Sequence, residues 1–111
     1  MTEKFTPGEW EIEERSAHFG SYSAYRFAIM TNKHRICMCQ TDDDRDIPTM
    51  QANAALIASA PTLYKMLKLA CHELTIVADW CGENGMKGDE QCYYNLVNGI
   101  QDVLKKARGE E

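Results

Sequence analysis

The sequence predicts an α+β fold: a three-stranded antiparallel meander followed by a short helix and a long antiparallel helical hairpin. Three observations predict it. Apolar and polar residues alternate through the first third of the chain, turn-forming residues separate those runs, and apolar residues at i, i+3 and i+4 fill the remainder. The chain has 111 residues, which fits one domain with one core, read as strands and loops over 1–48 and helices over 49–111.

The first strand is expected over 10–14. Trp10 and Ile12 share one face and Glu9, Glu11 and Glu13 the other, the alternation of a strand with one wet face. Pro7-Gly8 marks the turn before it. Residues 16–23 are polar with Gly20 and read as a loop. Residues 22–31 read as the second strand, because Tyr25, Phe27 and Ile29 alternate with Ala24, Arg26 and Ala28 and aromatic residues favour strands. Thr31-Asn32-Lys33-His34 is a tight turn, Asn being able to adopt a left-handed backbone. Residues 35–40 return as the third strand, with Cys37 and Cys39 on one face.

Asp42-Asp43-Asp44-Arg45-Asp46 is expected to be a solvated connection, since a calcium loop of the EF-hand type needs a central glycine, a distal glutamate and flanking helices. Helical periodicity begins near Pro48. Pro61 lacks a backbone donor and disfavours helix at the residue before it, so a break is expected there, with a second helix starting at 59–62. Its apolar stripe is Leu63, Tyr64, Leu67, Cys71, Leu74, Val77, Ala78 and Cys81, and Gly82 is expected to cap it. Asp89 is the expected N-cap of the last helix, with Tyr93, Leu96, Val97, Ile100, Val103, Leu104 and Ala107 as its stripe, and Gly109 stops it. Three strands are small cover for two helices of about 30 Å each, so the leftover apolar face, with Trp80, Tyr93 and Tyr94, predicts a homo-oligomer.

Composition excludes several function classes. The net charge is −5 with no basic arm, which argues against bulk DNA or RNA binding. No apolar run reaches the ~18 residues of a membrane span, and the N-terminal residues lack the apolar stretch of a signal peptide. The expected location is the cytoplasm. The five cysteines, Cys37, Cys39, Cys71, Cys81 and Cys92, are odd in number and scattered, which fits a reducing compartment. No metal-ligand spacing and no cofactor motif occurs. Cys71 and His72 are adjacent on a helix, so their side chains diverge by about 100° and do not form a nucleophile–base pair. The expectation is a binding protein rather than an enzyme.

The candidate site is basic and aromatic. Lys33, His34 and Arg35 cluster at a hairpin, Arg26 lies on the partner strand, and Tyr22 and Tyr25 are near in sequence. Such side chains together can hold a phosphate and stack a base.

The segment Ala52-Asn53-Ala54-Ala55-Leu56-Ile57-Ala58-Ser59-Ala60-Pro61-Thr62-Leu63-Tyr64-Lys65-Met66-Leu67 resembles one common in short phage and prophage proteins of unknown function, which carry it after a few strands and before a helical hairpin. The resemblance implies a phage origin. Its small residues would let the first helix lie close to another backbone. In layout the chain is also similar to phage sponge proteins that sequester nucleotide signals of host defence, such as those of Thoeris. There, arginines on a strand and near the C-terminal helix hold ligand phosphates, and the layout implies comparable places for Arg26 and Arg108. That resemblance implies a non-enzymatic anti-defence protein with a small nucleotide ligand. The competing implications are an inhibitor that binds a host defence protein directly, as many anti-CRISPR proteins do, and an accessory phage protein.

Overall fold

The computed structural model describes residues 5–19, 22–32, 34–41 and 43–110, and for 15–19 and 22–25 the backbone alone. The element order is β1 (Glu11–Phe19), β2 (Tyr22–Thr31), β3 (His34–Thr41), a 3-10 turn (Asp44–Asp46), α1 (Ile47–Glu83) and α2 (Lys87–Ala107). The sheet has the order β1-β2-β3 with both pairs antiparallel. This is the α+β architecture expected: a meander followed by a helical hairpin. Thr6–Thr62 forms one compact unit, and Phe5 with residues 63–110 forms another. The division falls within α1: its first turns pack on the sheet, and the rest pairs with α2.

In the first unit, directly paired residues share a face. Ile12, Ile29 and Cys37 make one row on the core side, and Glu14, Phe27 and Cys39 the next. Phe27 and Ile29 are fully buried together with Ala54 of α1, packed against by Trp10, Ile36, Met50, Ile57 and Ala58. Strict alternation would turn Ile36 away from Cys37. A register shift between Ile29 and Met30 leaves Ile36 without a directly paired residue, and such a bulge re-aims a side chain, so Ile36 and Cys37 both reach the core. Of the small residues on the first turns of α1, only Ala54 and Ala58 approach the sheet; Ala52, Ala55 and Ala60 are exposed. Asn32 has φ +46° at the second hairpin, as its turn position requires.

β1 is longer than the alternation suggested. The polar stretch expected to form a loop from Ser16 continues as strand to Phe19, paired through Phe19↔Tyr22. Pairing with β2 satisfies its backbone, which polarity alone could not reveal; Gly20 and Ser21 lie outside the described residues.

The expected break at Pro61 does not occur. Pro61 is buried inside a single 37-residue helix. A proline removes one helical hydrogen bond at a cost of about 3 kcal/mol; here helical turns on both sides are packed, in one unit before it and the other after it. The α1 stop also differs. The backbone N–H of Met86 donates to Cys81 and that of Gly85 to Gly82, with Gly85 at φ +76°. That pattern makes Gly85 the left-handed cap residue. Gly82 lies one turn earlier, where the Glu90 carboxylate fills the space a side chain would take. α2 starts at Lys87 behind Met86, which offers no side-chain cap, and Asp89 sits in the first turn beside Glu90, where the helix dipole favours acids. Gly109, at φ +80°, ends it as expected.

Tyr64, Cys71, Ala78 and Cys81 of α1 and Val97 and Leu104 of α2 form the buried seam of the second unit. Its register is antiparallel: Tyr94 donates to the Asp79 carboxylate near the connection, and Arg108 donates to Tyr64 at the far end. Tyr93 and Tyr94 are half-buried, so the exposed apolar face differs from the one expected around them.

The cysteines fall into distinct environments, and their reactivity should follow. Cys71 and Cys81 are buried and Cys92 is exposed. The Cys37 thiol is pushed above its ordinary value, first by burial and then by the neighbouring Cys39. Under limiting iodoacetamide at pH 8, peptide mapping should find Cys92 alkylated first and Cys71 and Cys81 last, because the thiolate and its access set the rate. Faster labelling of Cys37 than Cys92 would contradict this placement.

Candidate functional site

The sheet face turned away from the core carries the basic strand residues. Its paired positions run Glu11–Met30–Arg35, Glu13–Ala28–Met38 and Arg15–Arg26–Gln40. Arg26 therefore pairs with Arg15 on one side and Gln40 on the other. Arg35 pairs with Met30, four residues further along β2, which is about 13 Å away at ~3.3 Å per residue. His34 pairs with Thr31 beside the turn. Tyr22 pairs with Phe19 near the first connection; its side chain and Lys33 lie outside the described residues. The structure thus places Arg26 and Arg35 on this face, about 13 Å apart, and His34, paired with Thr31, on the opposite one.

The two ends of this face differ in charge. Near the β2–β3 turn, an open cleft of ≈ 480 Å³ is lined by Gly8, Glu9, Glu11, Met30, Thr31 and Asn32, so two acids stand in the region of Arg35. At the other end two arginine positions oppose each other directly. The Nε of Arg26 is buried and has no hydrogen-bond partner among the described residues. A buried guanidinium donor without an acceptor is a penalty that an anion would relieve.

Arg108 belongs to the other unit and is already engaged. Its Nη1 donates to Tyr64 Oη at 3.2 Å, and its Nε and Nη2 donate to Glu110 Oε2 at 3.3 and 3.1 Å. Tyr64 and Glu110 hold its guanidinium further into the charged range than usual. Tyr64 meets Phe5 edge-on, ring centroids 5.0 Å apart at 76°, and carries the Lys68 ammonium 5.7 Å from its ring centre. This cluster ties the end of α2 to α1. Beside the connection, the hydrogen bond to Asp79 holds the Tyr94 hydroxyl protonated beyond its ordinary range, since ionisation would set two anions together.

In the acidic connection, Asp43 accepts from the Arg45 backbone at 2.9 Å and pairs with its guanidinium at 2.9 Å. Those bonds hold its carboxyl below the usual range. Among the described residues no three His, Cys, Asp or Glu side chains converge as a metal site would require, and no helix is long and apolar enough to cross a membrane.

The first strand expected over 10–14 stops short of Arg15, and Gln40, inside the third strand expected over 35–40, meets Arg26 only through a pairing register that no local signal sets. Sequence reasoning missed the Tyr64–Arg108 bond because the two are 44 residues apart, with no local signal linking them. No curated protein and no solved structure matches the chain. A family model does, that of Salmonella phage P22 protein Y8K6, over residues 1–111.

Proposed function

The chain belongs to the Salmonella phage P22 protein Y8K6 family, and on that premise we propose that it is a phage binding protein of the host-cell cytoplasm that counters host defence by sequestering a nucleotide-derived signal. One observation carries this reading: Arg26 stands opposite Arg15 on the outer sheet face, with its Nε buried and without an acceptor among the described residues. A phosphate placed at Arg26 would satisfy the donor. Gln40, at the next paired position, adds an amide able to donate to a phosphate oxygen or a base edge. Arg35 lies further along the same face and would contact the remainder of an extended ligand. Sequestration requires holding and not turnover, so the reading needs no catalytic group.

Protein purified from phage-producing cells should then carry a species absorbing near 260 nm, released unchanged by heating and resolved by chromatography. Arg26→Ala should remove it, Arg35→Ala should weaken its retention, and both variants should keep the circular dichroism of the parent. Arg26→Lys should retain it poorly, because an ammonium lacks the planar fork of guanidinium. Parent protein free of any such species, or full retention by Arg26→Ala, would reject the reading.

Direct inhibition of a host defence protein is the second reading, and the exposed apolar residues of the helical unit favour it. A target protein captured with no nucleotide bound would select it.

A further inference from the structure

We infer that the apolar face of the α1–α2 hairpin is where a second copy of this chain docks, forming a two-fold bundle of four helices. The face is continuous on both helices. On α1, Leu63, Met66, Leu69, Ile76, Val77 and Trp80 are exposed, and on α2, Leu96 and Val103. Leu63, Ala70 and Val77 recur at seven-residue spacing, as do Met66, Glu73 and Trp80. The buried seam through Tyr64, Cys71 and Ala78 has the same seven-residue spacing. A helix with two adjacent heptad seams has partners on two sides. α2 fills one of them.

The two exposed stripes lie on the same side of the hairpin. At 100° per residue, the α1 stripe is rotated about 120° from its buried seam, and the α2 stripe is rotated about as far in the same sense. Antiparallel neighbours are related by a two-fold axis perpendicular to their layer, which preserves that sense, so both stripes face one way.

Area and shape select a second copy as the occupant. Trp80 is 55 % exposed, Leu63 48 %, and Leu96 and Val103 52 % each. Eight large side chains about half exposed present roughly 700 Å², taking ~180 Å² for each. The largest apolar patch of an ordinary monomer is ~300–600 Å², whereas a stable interface takes ~800 Å² per partner. The face is also self-complementary. α1 contributes the large side chains, and α2 places Gly99 between Leu96 and Val103. A Cβ at Gly99 would meet nothing within 4 Å. A mid-helix glycine costs about 1 kcal/mol against alanine, and nothing among the described residues explains this one. Close approach of a neighbouring helix does, and in a closed two-fold contact the same patch must supply both ridge and groove.

Sedimentation equilibrium of the full-length protein tests this. The parent should sediment at twice its 12.6 kDa chain mass at 10 µM. Trp80→Glu and Leu96→Glu, both at exposed positions, should sediment as monomers with unchanged helical circular dichroism. Trp80 emission, read in a Trp10→Phe background, should shift to the red as the parent is diluted to monomer. A parent that stays monomeric at 100 µM overturns the inference, as does a dimer that survives both glutamate variants. So does a monomer that uses this face to hold a different protein. Nucleotide retention is read on the sheet unit by Arg26→Ala, so the two readings fail separately.

Discussion

Phe27→Ala should lower the unfolding free energy of the sheet unit by about 3–5 kcal/mol, the range for emptying a fully packed aromatic site. Phe27 is 1 % exposed and lies between Glu14 and Cys39 in the middle of the sheet, over Ala54 of α1. Its neighbours cannot collapse into the space, since Ile29 is held by pairing on both sides and Ala54 carries only a methyl group. The loss is a large share of the ~5–15 kcal/mol that holds a domain of this size. Urea unfolding followed by Trp10 emission in a Trp80→Phe background should move its midpoint well down. A shift below about 1 kcal/mol would mean that the core is not centred on Phe27.

Tyr64→Ala should produce a loss of similar size, about 3 kcal/mol or more, in the helical unit. Tyr64 is 6 % exposed, and its ring meets Phe5 while its hydroxyl accepts from Arg108. Truncation removes both and leaves a guanidinium donor unmatched. Tyr64→Phe keeps the ring and removes only the acceptor, so it should cost about 0.5–1.5 kcal/mol, the net worth of one hydrogen bond. The contrast divides packing from polar contact. Trp80 emission in a Trp10→Phe background reports this unit. Equal losses for the two variants would put the whole effect in the hydroxyl and contradict the packing seen here.

These two substitutions also probe the boundary within α1. If the two units unfold together, Phe27→Ala will shift the Trp80 signal as far as that of Trp10. If each unfolds alone, the two reporters will separate.

Period-two alternation gave β2 to the residue, because Tyr25, Phe27 and Ile29 alternate with smaller or charged neighbours and the turns on either side carry their own chemistry. Asn32 announced its left-handed backbone, and Gly109 its helix stop, for the same local reason. The family match supports the phage origin expected from the segment Ala52 to Leu67.

Three features needed the tertiary structure. The end of β1 depended on β2, which supplies hydrogen bonds to a stretch whose own composition is that of a loop. The fate of Pro61 depended on packing at both sides of it, which outweighs the missing helical bond. The candidate site depended on register: Arg15 and Arg26 are eleven positions apart in the chain and become neighbours only when β1 and β2 pair, whereas Lys33, His34 and Arg35 are adjacent in sequence and drew attention for that reason. The sequence by itself determined that three strands precede a helical hairpin, because those follow from spacing within a few residues. Which residues meet, which glycine caps α1 and which apolar stripe stays bare were decided by the fold, because each depends on a partner far along the chain.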